Sequence, residues 1–130
     1  MQILIVDDNE MVRRGIKLLL SAWPAYAVCG EASNGEEAVA KALELQPDLI
    51  LLDISMPGSN GFETTVAIRG EFPRVKIIIL SQHDKEQLLP RALEAGADAC
   101  IDKNSLSTEL LTTIHRLVSN AHSLRTETAG

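Results

Sequence analysis

The stretch Pro47–Asp53 (PDLILLD) decides the fold of this chain. It contains four consecutive branched aliphatic residues, which is too short a run for a helix. An unbroken apolar run of this length is typical of a strand buried on both faces of a parallel sheet. The strand ends on the carboxylate of Asp53. Ligands bind at the carboxyl ends of the strands in open α/β sheets, so we expect Asp53 to lie at a binding edge.

Further aliphatic runs on both sides of this strand alternate with amphipathic segments. We predict strands at Met1–Val6, Tyr26–Ala32, Val75–Leu80 and Ala99–Ile101, and helices at Glu10–Trp23, from Glu36 onwards, at about Phe62–Gly70, at Lys85–Ala95 and at Leu106–Val118. Parallel neighbours need helical crossovers, so strands and helices in alternation predict a doubly wound α/β domain. The pattern does not determine the order of the strands in the sheet.

Two of the predicted helices carry clear apolar faces, which we expect to point into the core. They consist of Ala38, Val39, Ala42 and Leu43 in the second helix and of Leu88, Leu89, Ala92 and Leu93 in the fourth. The last segment, 119–130, is polar and has no such pattern. We therefore expect a domain at 1–118, followed at 119–130 by a frayed helix end and a linker or tail.

Composition narrows the possible functions. The 18 acidic and 12 basic residues give a net charge of −6 without a basic block, which argues against direct contact with nucleic acid or an anionic membrane. No apolar stretch is long enough for a membrane span and the N-terminus lacks a secretory signal, so we predict a cytoplasmic protein. Cys29 and Cys100 stand alone in apolar segments, as expected for core thiols in a reducing compartment.

Charged and polar residues follow the predicted strands. The first strand is followed by Asp7 and Asp8, the third ends at Asp53, the fourth is followed by Ser81, and Lys103 follows the fifth. Carboxylates gathered at one edge would repel one another, which indicates a cation among them. Mg²⁺ prefers oxygen ligands, and its charge together with that of one lysine would neutralise three carboxylates.

A neutral pocket with a carboxylate, Mg²⁺, a lysine and a hydroxyl suits phosphoryl transfer. Asp53 could attack phosphorus while Ser81 and Lys103 hold the phosphoryl oxygens, and the product would be an acyl phosphate on Asp53. Simpler interpretations exist for each residue alone. Asp7 and Asp8 could be acids that favour a helix N-terminus, and Ser81 could be a plain turn residue.

Together, these positions resemble the receiver domain of two-component response regulators. The resemblance covers about Met1 to Val118 and includes Met56, Pro57 and Gly61 in the loop after Asp53. It implies a flavodoxin-like (βα)5 fold with strand order 2-1-3-4-5, which would place Cys29 and Cys100 on opposite edge strands.

The resemblance also implies roles for individual residues. Asp53 would accept a phosphoryl group from a sensor histidine kinase. Asp8, Asp53 and the carbonyl of Ser55 would bind Mg²⁺ directly, Asp7 would bind it through water, and Ser81 and Lys103 would sense the phosphoryl group. The domain would be a switch rather than an enzyme in the usual sense.

The resemblance extends to output and partners. The spacing around Lys103 is similar to that of receivers that precede a helix-turn-helix DNA-binding domain. We therefore expect control of transcription through such a domain, with homodimer formation on phosphorylation. The composition of 119–130 favours a fragment from which that domain is missing.

Three positions depart from the family pattern. Cys100 replaces a usual aromatic residue, Gln82 replaces a usually small one, and Asn104 replaces a frequent proline. Because of Cys100 and Gln82, an interaction module that works without phosphorylation is an alternative function. His83 could influence attack of water on the acyl phosphate or be an exposed loop residue. A phosphatase of the haloacid dehalogenase type is a weaker alternative, because that class has a second carboxylate at the position of Ser55. A flavodoxin-like cofactor carrier is weaker still, because no Ser/Thr-rich phosphate loop follows the first strand.

Overall fold

The computed structural model describes residues 1–56, 58, 60–82 and 85–129, with the side-chain surroundings of residue 85 and of residues after 119 left aside. The elements are β1 (Gln2–Val6), α1 (Glu10–Leu20), β2 (Ala27–Ala32), α2 (Gly35–Leu45), β3 (Leu49–Asp53), α3 (Gly61–Glu71), β4 (Lys76–Ser81), α4 (Lys85–Ala95), β5 (Ala99–Asp102) and α5 (Leu106–Ala129). A short 3-10 turn at Lys103–Ser105 precedes α5.

The five strands form one parallel sheet in the order β2-β1-β3-β4-β5. This confirms the flavodoxin-like doubly wound fold and its strand order. β3, which contains the apolar run Leu49–Leu52, lies at the centre of the sheet and is buried along its whole length. Central placement between two parallel neighbours explains why its sequence is continuously apolar rather than alternating.

The core consists of two layers, one on each face of the sheet, because successive strand side chains point to opposite faces. On one face, Ile3, Ile5 and Leu51 pack with α1 and α5. On the other face, the alternate residues Leu4 and Leu52 pack with α2, α3 and α4. Helices cover both faces of the sheet, so the ends of the strands are not covered by them.

The predicted apolar faces of α2 and α4 were partly wrong. Leu43 is 55% exposed, Leu93 is 50% exposed and Leu89 is 36% exposed, whereas Ala42 and Ala92 are fully buried. The small alanines let each helix approach the sheet closely, so the buried stripe is centred on them. A leucine one position further along lies about 100° round the helix, on the side towards solvent.

Two helix ends differ from the prediction. α1 ends at Leu20 instead of Trp23, because Trp23 precedes Pro24 and a residue before proline avoids the helical conformation. The last helix continues to Ala129, whereas a frayed helix end and a linker or tail were expected after Val118. Residues 119–129 contain no glycine or proline, and extending an existing helix costs far less than nucleating one.

Two further sequence expectations concern cysteines and membranes. Cys29 lies on β2 and Cys100 on β5, the two edge strands of the sheet, as expected from the resemblance. Over the described part of the chain, none of the helices combines the length and apolar character that crossing a membrane requires.

Candidate functional site

The carboxyl ends of the four adjacent strands β1, β3, β4 and β5 bring the predicted residues to one edge. Asp7 directly follows β1, Asp53 is the last residue of β3, and Ser81 is the last residue of β4. In the strand register, Asp53 lies beside Leu80, and Ser81 lies beside Asp102, which precedes Lys103. Parallel strands in this order therefore gather residues that are far apart in the sequence.

Lys103 connects the two buried carboxylates. Its Nζ lies 2.7 Å from Oδ2 of Asp7 and 3.0 Å from Oδ2 of Asp53. The Lys103 side chain is 10% exposed, Asp7 is fully buried and Asp53 is 2% exposed. Ion pairs with so little water around them are screened far less than surface pairs.

The second carboxylate oxygen of each aspartate accepts a backbone hydrogen bond. The N–H of Asn9 donates to Oδ1 of Asp7 at 2.9 Å, and the N–H of Ser55 donates to Oδ1 of Asp53 at 3.0 Å. Both bonds span two residues, the local pattern that aspartate favours in turns. The loops after β1 and β3 therefore hold the two carboxylates in similar orientations.

Burial and neighbouring charges shift two pKa values in the site. Burial raises the pKa of Asp53 from its ordinary value, and it prevails over the N–H of Ser55 and the ammonium of Lys103, which both favour the ionised form. Burial alone would lower the pKa of Lys103, but contacts with Asp7 and Asp53 raise it overall. Lys103 therefore stays charged, while the ionised form of Asp53 is disfavoured.

Asp7, Asp8 and Asp53 form an acidic cluster. One carboxylate oxygen from each lies within 4.8 Å of the others, with Asp7 and Asp53 buried and Asp8 exposed. Oδ2 of Asp7 is buried, and its partner is the Lys103 ammonium at 2.7 Å. A set of three carboxylates, two buried and one exposed, supplies the hard oxygen donors that Mg²⁺ prefers, and the exposed side leaves room for bound water.

The remaining predicted residues differ in burial, and two of them lie outside the described residues. Ser81 is fully buried at the strand end, and Ser55 follows Asp53 in the adjoining loop. Gln82 is exposed beside Ser81. His83 and Pro57 lie outside the described residues. Cys100 is buried in the core, at 8% exposure, so a thiol occupies the position where the family usually has an aromatic side chain.

Sequence reasoning missed the role of Asn9. Its side chain accepts hydrogen bonds from the N–H groups of Met11 and Val12 and caps the start of α1, while its own N–H donates to Asp7. The signal was available, because asparagine directly before a helical pattern is a strong N-cap residue. Asn9 thus ties the acidic loop to the first helix.

Comparison with known proteins agrees with this fold. Residues 3–115 match the response regulator receiver domain family. The nitrate/nitrite response regulator NarL of Escherichia coli K12 is 42% identical over 114 residues, which is 88% of this chain and 53% of that protein. The response regulator VraR of Staphylococcus aureus is 39% identical over 115 residues, 88% of this chain and 55% of that protein.

Solved structures show the same likeness. A two-component response regulator of the LuxR family from Aurantimonas has a TM-score of 0.86 at 31% identity and covers 99% of this chain and 98% of its own. A CheY-like receiver domain protein from Methanospirillum hungatei has a TM-score of 0.84 at 29% identity, covering 94% of this chain and 96% of its own.

The fold and the acidic edge define a doubly wound signalling domain. The chain belongs to the response regulator receiver domain family and is a receiver domain similar to those of LuxR-family regulators. Such domains are signalling switches rather than classical enzymes. The chain spans about half the length of the curated relatives it matches.

Proposed function

We propose that Asp53 is the phosphoacceptor of this receiver domain and that a sensor histidine kinase is the donor. The observation that carries the proposal is the position of Asp53 at the end of the central strand, with the Lys103 ammonium 3.0 Å from Oδ2. The neighbouring strands supply Asp7 on one side and Ser81 on the other. Within the acidic cluster, Asp53 is the carboxylate whose strand lies between β1 and β4.

Mg²⁺ is the proposed metal of the acidic cluster. Asp8, Asp53 and the Ser55 carbonyl would hold it directly, and Asp7 would hold it through water. When bound, it would neutralise charge on the transferring phosphoryl oxygens. Its two positive charges and that of Lys103 would balance the three carboxylates of the cluster.

The proposed reaction is a displacement at phosphorus. A carboxylate oxygen of Asp53 attacks the phosphorus of the phosphohistidine, the P–N bond breaks, and the imidazole nitrogen leaves with the bonding electron pair and takes up a proton from solvent. Ser81 and Lys103 then contact the phosphoryl oxygens as charge spreads onto them. The product is an acyl phosphate on Asp53, which water slowly hydrolyses.

The proposed output is control of a DNA-binding domain. A solved LuxR-family relative from Staphylococcus aureus, 27% identical with a TM-score of 0.79, is described as a DNA-binding response regulator. The net charge of −6 makes direct contact between this domain and DNA unfavourable. We therefore assign DNA binding to a helix-turn-helix domain of the whole protein, with a phosphorylation-dependent homodimer as the link.

The deciding experiment is the intact mass of the chain after incubation with acetyl phosphate and Mg²⁺. We expect a gain of one phosphoryl group that hydroxylamine removes, and no gain in Asp53→Asn. Equal modification of both proteins would exclude Asp53. No gain in the wild type, with a sensor kinase as donor as well, would favour the phosphorylation-independent module, for which buried Cys100 and exposed Gln82 are the motivating residues.

The metal site is tested separately with Asp8→Ala. Because Asp8 is a proposed direct ligand, its loss should weaken Mg²⁺ binding at least tenfold in a calorimetric titration. Glu10→Ala is the matched control, since Glu10 is an acid of the same segment with a 71% exposed side chain that pairs with Arg14. Equal affinities of the two variants would contradict the ligand set.

A further inference from the structure

Arg13 of α1 contacts the backbone of the acidic loop. Its Nη1 donates to the carbonyl oxygen of Asp7 at 2.7 Å, and its Nε donates to Oε1 of Glu31 at 2.9 Å. The side chain is 18% exposed. An arginine with two ends of its guanidinium held in this way is anchored far more firmly than a surface arginine.

Glu31 of β2 holds Arg13 in place. Oε1 of Glu31 accepts from Arg13, while Oε2 accepts from Lys17 at 3.0 Å. The hydrogen bond from Lys17 and the one from Arg13 lower the pKa of Glu31, although partial burial opposes them. Glu31 therefore stays ionised at neutral pH and bridges two cations of α1.

The carbonyl that Arg13 contacts belongs to the peptide unit between Asp7 and Asp8. A peptide unit is planar, so an anchored Asp7 oxygen also fixes the direction of the Asp8 N–H. The N–H of Asp7 donates to the carbonyl of Ala32 at 3.0 Å, and its Oδ1 accepts from Asn9. Because Arg13 also holds the Asp7 carbonyl, the peptide unit that leads into Asp8 has little freedom to rotate.

We propose that Arg13, held by Glu31, is a positioning residue for the metal site. The proposal rests on the proposed function, because it assumes that Asp8 and its neighbours bind Mg²⁺. Arg13 does not touch the metal or the phosphoryl group. It restricts the Asp7–Asp8 peptide to the orientation in which the exposed Asp8 carboxylate lies beside the buried ones.

Charge and position predict opposite results for the loss of Arg13. A cation near the acidic cluster repels Mg²⁺, so removing it should tighten binding if charge alone matters. Removing the anchor should instead weaken binding, because Asp8 must then be ordered when the metal arrives. Outer-shell partners of metal ligands are typically worth about 10- to 100-fold in metal affinity.

Arg14 offers a matched control on the same helix. It pairs with Glu10 one helical turn away, and both side chains are largely exposed, at 68% and 71%. Arg14→Ala therefore removes the same charge without removing a contact to the loop. Arg13→Lys keeps the charge, but an ammonium cannot reproduce the two-sided contact of the guanidinium.

The test is a calorimetric titration of the 130-residue chain with MgCl2. We expect Arg13→Ala and Arg13→Lys to weaken binding about tenfold, Glu31→Gln to weaken it by less, and Arg14→Ala to change it less than twofold. Amide hydrogen exchange at Asp8 without metal should become faster in the Arg13 variants and stay unchanged in Arg14→Ala. Arg13→Lys keeps the test valid if Arg13→Ala does not fold.

Three outcomes would overturn the proposal. Tighter Mg²⁺ binding in Arg13→Ala would show that charge outweighs position, and affinities equal to that of Arg14→Ala would show that the contact is only structural. If the wild type itself does not bind Mg²⁺, the proposed metal site fails and the role of Arg13 fails with it. In the first two cases, the wild-type titration leaves the proposed function standing.

Discussion

The carboxyl group of Asp53 is 2% exposed and lies near two other carboxylates and one lysine. The loop N–H of Ser55 and the ammonium of Lys103 compensate part of the cost of burial, but the pKa of Asp53 is still raised. This residue therefore opposes folding at neutral pH. Such conflicts between stability and charge are typical of functional sites.

Asp53→Asn should make the metal-free chain more stable at pH 7. A carboxyl with a raised folded-state pKa favours folding below its ordinary value of 3.8, and this contribution is lost as the pH rises through the folded-state pKa. We expect a gain of about 1 kcal/mol, or roughly 4 °C in Tm for a chain of this size. Thermal unfolding at pH 7 and near pH 4 measures it, and a gain that did not shrink at the lower pH would contradict the cause.

Lys103→Met should destabilise the chain. Lys103 is 10% exposed and faces Asp7 and Asp53 at ion-pair distance. Loss of the cation leaves two buried negative charges uncompensated, which typically costs about 3 kcal/mol or more. Denaturant unfolding of Lys103→Met should show this loss, and Asp53→Asn should stabilise that variant by more than it stabilises the wild type. Additive effects of the two changes would mean that the residues do not interact.

At the scale of elements, the side chain of Arg69 connects α3 to the edge of the sheet opposite the site. It donates to the carbonyls of Pro73 and Val75 after α3 and to the carbonyl of Gly96 after α4, and its Nη2 contacts Asp98 at 2.9 Å. Gly96 has a φ of 111°, and a Cβ there would lie 2.9 Å from Arg69. One side chain thus fixes two loops that lead into β4 and β5.

Arg69→Ala should lower the free energy of unfolding by about 3 kcal/mol, because several part-buried carbonyls lose their donor at once. Arg74→Ala is the control, since Arg74 is an exposed arginine of the same loop, and it should change stability by less than about 0.5 kcal/mol. Urea unfolding of both variants checks the difference. A similar small effect in both would show that the Arg69 contacts contribute little.

At the scale of the whole molecule, the core ends before the chain does. Leu117 is the last described residue buried in the layer of α1 and α5, and Val118 packs against that layer. α5 nevertheless continues to Ala129. The proposed domain boundary at 118 therefore falls inside a helix, at the point where the described core contacts stop.

A chain that ends at Val118 should fold and retain Tm within about 3 °C of the full chain, because the described core contacts stop at Val118. The comparison is thermal unfolding of the two chains, with Leu117→Ala in the full chain as the control that does reach the core. That control should cost about 2 kcal/mol or more. A large loss from the truncation alone would move the domain boundary beyond 118.

Much of this molecule could be predicted because the evidence for it is local. A run of aliphatic residues such as Leu49–Leu52 defines a strand by itself, and an acid directly after a strand lies at its carboxyl end in any parallel sheet. Asp7, Asp53, Ser81 and Lys103 were therefore placed on one edge before any distance was known. The strand order came from the family resemblance and is confirmed.

Only the tertiary structure decided the contacts between side chains of different helices and strands. The rotation of α2 and α4, which exposes Leu43 and Leu93, follows from how closely alanines pack on the sheet. The contact of Arg13 with Glu31 and Asp7 requires β2 to lie beside β1. Residue pattern determines which element forms and where it ends, whereas the partner of a side chain depends on which elements become neighbours and how they turn towards each other.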